Sequence, residues 1–192
     1  MNQKVTILSG SSRSDNNTMR LGLAMQRKME AKGWSTNLID FREYDIPFMN
    51  QGSVSLEGDT PFQKELIRSI DEGDMVIIMS PEYNWFPTAE LINMLHQLGN
   101  RRFGHLFDQK VFAMCGLSTG RGGRVPAMQL STVFEKIVSF LHKHSIISPK
   151  KFEAHYITME LDDDGHYTGD GAFEQAVDRF LEYNIQLAVK FL

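Results

Sequence analysis

Three clusters of residues in this chain have types and spacing suited to chemistry, and each follows a short apolar run. The first is Gly10-Ser11-Ser12-Arg13-Ser14-Asp15-Asn16-Asn17-Thr18, a stretch of hydroxyls, amides and backbone N–H groups with one guanidinium. At the positive end of a helix dipole, such a set can hold a phosphate. It is neither G-x-x-x-x-G-K-[ST] nor G-x-G-x-x-G, and without those glycines a pyrophosphate could not lie against the backbone. A single terminal monophosphate is the better match, although a generic polar connection with a helix cap has the same composition. The second cluster, Pro81-Glu82-Tyr83-Asn84-Trp85-Phe86-Pro87, is a rigid aromatic turn. The third, Ser118-Thr119-Gly120-Arg121-Gly122-Gly123-Arg124, is a glycine-rich loop that a flat ring can approach closely.

The elements that must position these clusters follow from apolar patterning. Val5 to Leu8 reads as a strand, and a helical pattern with Met19, Leu21, Leu23, Met25 and Met29 follows, closed by Gly33. Residues 34–40 alternate like an edge strand, 41–60 is a long loop, and Pro61 opens a helix that Gly73 ends. Residues 74–80 and 110–117 are continuous apolar runs of the kind buried on both faces of a parallel sheet. Between them lies a helix over about 88–100, and after the third cluster a long amphipathic helix runs to about Lys143. Residues 145–158 hold one strand interrupted around Ser148-Pro149-Lys150, Asp162 to Gly165 is a solvated turn, and Ala172 to Phe191 is the last helix.

This alternation predicts one α/β domain over 1–192: a flavodoxin-like doubly wound sheet of five parallel strands, order 2-1-3-4-5, with helices on both faces. In that topology all three clusters emerge at the carboxyl edge, where ligands bind. Together they make a phosphate end, an aromatic wall and a glycine floor, which suits a planar heteroaromatic ligand with a monophosphate tail: flavin mononucleotide, FMN.

Composition narrows the partners. The chain has 192 residues, a formal net charge of −4 and one cysteine, Cys115. The absence of a basic surplus argues against nucleic acid, and the charge is too mild for a dedicated acidic electron carrier. A lone cysteine in an apolar strand fits a buried residue, forms no intrachain disulfide and suits a reducing, cytoplasmic setting. No apolar run has the roughly 20 residues of a membrane span. His142 and His144 flank Lys143 near a helix end and lack a third metal ligand, and Asp162 to Asp164 lack calcium-loop spacing.

The motifs Gly10-Ser11-Ser12-Arg13 with Thr18, Pro81-Glu82-Tyr83-Asn84, and Ser118-Thr119-Gly120 with Gly122-Gly123 resemble those of the NAD(P)H-dependent FMN reductase family of quinone, azo-dye and chromate reductases. The resemblance covers roughly residues 4–145. It implies that Ser11, Arg13, Asn16 and Thr18 hold the FMN phosphate. Pro81, Glu82, Tyr83 and Asn84 would lie against the isoalloxazine and ribityl chain, largely through backbone N–H groups, and Ser118, Thr119 and Gly120 beside the flavin pyrimidine. Asn16 and Thr18 stand where the family has Ser and Asn, and Phe86-Pro87-Thr88 shifts the family's proline, altering the wall where substrate stacks. The implied activity is hydride transfer from NAD(P)H through FMN to a quinone, azo compound, free flavin or similar acceptor, with ping-pong kinetics and no catalytic side chain. Arg121 and Arg124 would contact the 2′-phosphate of NADPH or simply face solvent. Trp85 and Phe86 would anchor the loop or meet a second copy. A homodimer or dimer of dimers is implied, with Leu91, Met94, Leu95 and Leu98 as an apolar face. The competing reading is a flavodoxin-like electron carrier without NAD(P)H activity.

Overall fold

A computed structural model describes residues 3–191. Met1, Asn2 and Leu192, which the single-domain reading of 1–192 includes, lie outside the described residues. The apolar runs form strands β1 (Lys4–Ser9), β2 (Ser35–Asp40), β3 (Met75–Pro81) and β4 (Val111–Leu117), all parallel. Ile7 of β1 registers with Leu38 on one side and Ile77 on the other, and Ile77 in turn with Ala113. The strand order is 2-1-3-4-5, and the fifth position is occupied by two short pieces, β5 (Ile146–Ile147) and β6 (Phe152–Ala154), both parallel to β4. The interruption read at Ser148 to Lys150 is therefore real and adds a sixth strand. Ser148 donates its N–H to Phe112 O at 2.8 Å and its hydroxyl accepts from Lys150 N–H, while Pro149 has no N–H to continue a ladder.

Helices α1 (Asn17–Ala31) and α6 (Ala172–Phe191) cover one face of the sheet through Leu21, Met25, Met29, Phe180 and Leu181. Helices α2 (Pro61–Glu72), α3 (Ala89–Leu98) and α4 (Arg124–Phe140) cover the other through Leu66, Leu91, Met94, Leu130 and Phe134. Pro61 at the first turn and Thr60 accepting from Gln63 N–H start α2 where the sequence predicts. Helix α4 ends at Phe140 rather than near Lys143, because Leu141 caps it and His142 turns left-handed at φ 54°. A 3-10 stretch, Arg101–Phe107, and a short helix α5 (Ile157–Glu160) add to the elements read from sequence.

Two surface features take their detail from the fold. Leu91, Met94, Leu95 and Leu98 are buried within the chain's own core, so the stripe offered as a dimer face is spent internally. The Asp162 to Gly165 turn is docked on α1: Arg20 pairs with Asp163, and Arg27 donates to the carbonyls of Asp164 and Gly165. Among the described residues no helix is long and apolar enough to cross a membrane.

Candidate functional site

The chain leaves β1 through Gly10, whose N–H donates to Met79 O at 3.0 Å. A Cβ here would lie 2.4 Å from a Leu91 methyl and 2.6 Å from Met79 O, so only glycine fits beneath α3. Asn16 caps α1: its Oδ1 accepts from Met19 N–H at 3.2 Å and from the Thr18 hydroxyl, while Nδ2 donates to Ser11 O at 2.9 Å and Ser9 Oγ at 3.3 Å. Thr18 is also bonded to Ser9 Oγ at 2.8 Å. Both residues are buried and act as struts under the loop. Their neighbour Asn17 lines the cavity instead, and its Oδ1 is a buried acceptor without a donor. Among the described residues, the N–H groups of 14–18 donate to no protein acceptor. They cluster at the positive end of α1, a ready anion site.

The second loop is a tight hairpin in which Tyr83 and Phe86 exchange both backbone bonds, at 3.1 and 3.0 Å. The two central residues, Asn84 and Trp85, are left-handed at φ 49° and 65°. Asparagine tolerates this, but tryptophan there costs roughly 1 kcal/mol, and strain of this sort gathers at functional sites. Trp85 is 68% exposed and Phe86 62% exposed, so neither anchors the loop in the core. Glu82 donates its N–H to Leu117 O at 2.8 Å and Tyr83 to Phe86 O, and among the described residues the N–H groups of Asn84 and Trp85 donate to no protein acceptor. The Tyr83 hydroxyl meets Ser11 Oγ at 3.2 Å and its ring lies 4.7 Å from the Arg13 guanidinium, joining the first two loops. Thr88 extends the link, donating its hydroxyl to Gly10 O at 2.7 Å while its N–H donates to Ser80 Oγ.

The third loop is held by its neighbours. Gly123 N–H donates to Glu82 Oε2 at 2.6 Å, and Gly122 N–H to His155 Nδ1 at 3.1 Å. The Glu82 carboxylate therefore fastens loop to loop. A Cβ on Gly116 would meet Gly123 O at 1.6 Å, which fixes glycine at this strand end where α4 begins. From beyond β6, Tyr156 N–H donates to Gly120 O at 3.0 Å and Ile157 N–H to Ser118 O at 3.4 Å.

Of the site residues read from sequence, Ser11, Arg13, Pro81, Glu82, Tyr83, Ser118 and Thr119 line one cavity of about 140 Å³. Asn16, Thr18, Asn84 and Gly120 stand outside its lining. Asp15, Asn17, Leu117 and Ile157 line it as well and were not singled out. Asn17 shares its amide chemistry with Asn16, and only the helix phase separates them. Ile157 lies in a segment whose sequence carries no motif. The volume is below the roughly 300–1,000 Å³ of sites that engulf a ligand. Cys115 sits in the apolar layer of β4, where burial pushes its thiol well above the ordinary range and rules it out as a thiolate nucleophile.

FMN fits this donor set. The free N–H groups and Arg13 suit a phosphate, and Asn17 Oδ1 suits a ribityl hydroxyl. Residues 3–151 match the family model described as NADPH-dependent FMN reductase. No curated protein sequence matches the chain. Among solved structures, the chain is similar to FerB, a flavoenzyme NAD(P)H:(acceptor) oxidoreductase from Paracoccus denitrificans, at 18% identity and TM-score 0.71, covering 96% of this chain and 98% of that one. It is similar to an NADH:FMN oxidoreductase (EMOB) in its apo form at 14% identity and TM-score 0.65, covering 96% and 90%. A flavodoxin from the domain Archaea aligns at 10% identity and TM-score 0.58, covering 98% of each chain. At these identities the structural likenesses establish the flavodoxin-like fold alone.

Proposed function

The chain belongs to the NADPH-dependent FMN reductase family, and from that membership we propose that it is an NAD(P)H oxidoreductase that reduces a quinone, azo compound, free flavin or similar small acceptor. The observation that carries the reading is the cavity itself: Arg13, Asp15 and Asn17 border one open cleft, Asn17 with an orphan Oδ1, and among the described residues the N–H groups of Asp15 and Asn17 have no protein acceptor. FMN held by these residues would supply the redox chemistry, hydride transfer from a nicotinamide to the acceptor in ping-pong half-reactions. The protein's residues bind and orient. Arg13 and the N–H groups of 14–18 neutralise and fix a phosphate, and Asn17 accepts from a hydroxyl beside it. Asn84 and Trp85 offer backbone donors toward the ring, the kind of fixed dipoles that stabilise developing negative charge. Trp85 and Phe86, exposed at the rim, give a flat acceptor an aromatic surface to stack on. No side chain serves as nucleophile.

The exposed aromatics Trp85 and Phe86 are the residues we assign to the contact of a homodimer or dimer of dimers, since the α3 stripe is already buried. Light scattering on the eluted protein gives the mass that tests this, and a monomer at micromolar concentration rejects it. The catalytic reading is tested by anaerobic absorption spectra of the FMN-loaded protein before and after NADPH. Loss of the visible flavin band is expected. Flavin that binds but stays oxidised turns the reading to an electron carrier, and failure to retain FMN rejects both. The buried single cysteine fits work in a reducing cytoplasm.

A further inference from the structure

Past residue 151, where the family match ends, the chain returns to the site through His155, Tyr156 and Ile157. Two of these contacts come from the backbone and any residue could make them. The third depends on a side chain. His155 is half-buried, and its Nδ1 lies 3.1 Å from Gly122 N. An N–H donates there, so Nδ1 must carry a lone pair and the imidazole must be the neutral Nε2–H form.

We infer that His155 is a positioning residue for the third loop of the flavin site: its neutral imidazole locks the Gly122 amide, and protonation releases it. The inference rests on the reading of this cavity as an FMN site. A second proton on the ring would point Nδ1–H at Gly122 N–H, replacing a hydrogen bond with two opposed donors. Gly122 lies three residues after Thr119, which lines the cavity, and one before Gly123, which Glu82 holds. Releasing the middle of this short loop loosens the wall formed by Ser118 and Thr119. The ionisable groups on the elements meeting here are Glu82, Arg121, Arg124 and Glu153, the last two paired at 3.4 Å. Ordinary carboxylates and guanidinium groups keep their charge between pH 5.5 and 8, whereas ordinary imidazoles titrate near about 6.5. An imidazole is thus the type of side chain at this junction whose contact a pH series can probe.

The test is FMN affinity, read by fluorescence quenching from pH 5.5 to 8, for the wild-type chain and His155→Asn. Asn Oδ1 takes the place of Nδ1 and accepts without titrating. Both proteins should bind FMN equally at pH 7.5. At pH 5.5 the wild type should bind about fivefold more weakly than the variant, the equivalent of one ordinary hydrogen bond. The second ionisation of the FMN phosphate, near about 6, acts on both proteins and drops out of the ratio. Superimposable profiles overturn the inference while leaving the flavin reading intact. Failure of both proteins to bind FMN at any pH overturns the two together. Should the variant not fold, the Gly122 amide proton of the wild type decides by NMR: a shift following an imidazole titration supports the lock, and a constant shift overturns it.

Discussion

At the amino edge of the sheet, Lys110 is buried and donates its ammonium to the carbonyls of Asp71 at 2.7 Å and Gly73 at 3.0 Å, closing the end of α2. Nearby, Lys4 N–H donates to the Asp74 carboxylate at 2.9 Å and Asp74 N–H to Lys4 O at 3.0 Å. At the carboxyl edge of the same strands, among the described residues, the five consecutive N–H groups of 14–18 and the Asn17 side-chain Oδ1 have no protein partner, and Trp85 is held left-handed and exposed. One edge spends its polar groups on itself and the other keeps them for a ligand. Of these groups Asn17 Oδ1 is buried, and an unpaired buried group costs about 1–3 kcal/mol unless something else bonds to it, whereas Ser14 and Asp15 are exposed.

The contrast can be broken from either side. Lys110→Met removes the donor from two buried carbonyls and should cost about 2–3 kcal/mol, lowering Tm by roughly 5–10 °C, with FMN affinity unchanged within about twofold. Burial already holds the Lys110 ammonium below its ordinary pKa, so part of the loss is offset by the charge no longer buried. If FMN affinity falls as much as stability, the two edges are not separable. Arg13→Ala should act the other way round, weakening FMN binding by about 1.5–3 kcal/mol, or roughly 10- to 150-fold, with Tm unchanged. A fluorescence titration that shows wild-type affinity would move the phosphate elsewhere. The smallest effect is expected from Trp85→Gly, which relieves the left-handed backbone. Chemical denaturation should find it neutral to about 1 kcal/mol more stable, while KM for a flat acceptor rises and FMN affinity holds. Loss of stability would show that the indole packs against something more than solvent.

A further pH effect lies away from both edges. Lys28 joins α1 to α6 by bonds to Glu174 at 2.8 Å and Asp178 at 3.0 Å. Burial opposes its charge, but the two carboxylates outweigh burial and raise its pKa above 10.5. A raised lysine contributes stability that is complete at neutral pH and fades as pH climbs through the folded value. Lys28→Met should therefore flatten the alkaline limb of the stability profile, a loss on the order of 1 kcal/mol measured near pH 8.

Much of this was legible in the sequence because it depends on period and punctuation. Continuous apolar runs gave buried parallel strands, Gly33, Gly73 and Pro61 gave the helix limits, and topology alone placed three polar loops at one edge. What stayed hidden depends on the direction of a side chain. Asn16, Asn17 and Thr18 are chemically interchangeable in a sequence, yet one caps the helix, one faces the cleft and one lies under the loop. Glu82 reads as the carboxylate of the crevice and in the fold binds a backbone amide of the next loop. The apolar stripe of α3 looks the same whether it covers the chain's own sheet or a second copy. His155 and Ile157 reach the site from the end of the interrupted strand read over 145–158, a stretch that carries no site motif.

The bonds between the three loops have a practical meaning for anyone wishing to change what the protein reduces. Thr88 to Gly10, Tyr83 to Ser11 and Glu82 to Gly123 make the loops one cassette. Transplanting an aromatic hairpin that lacks the Glu82 and Tyr83 side chains would cut two of these ties, to Gly123 and Ser11, and such a chimera should fold yet bind FMN more weakly. Exchange of the hairpin together with its partners at Gly10 to Ser11 and Gly122 to Gly123 is the smallest graft expected to carry a new preference intact.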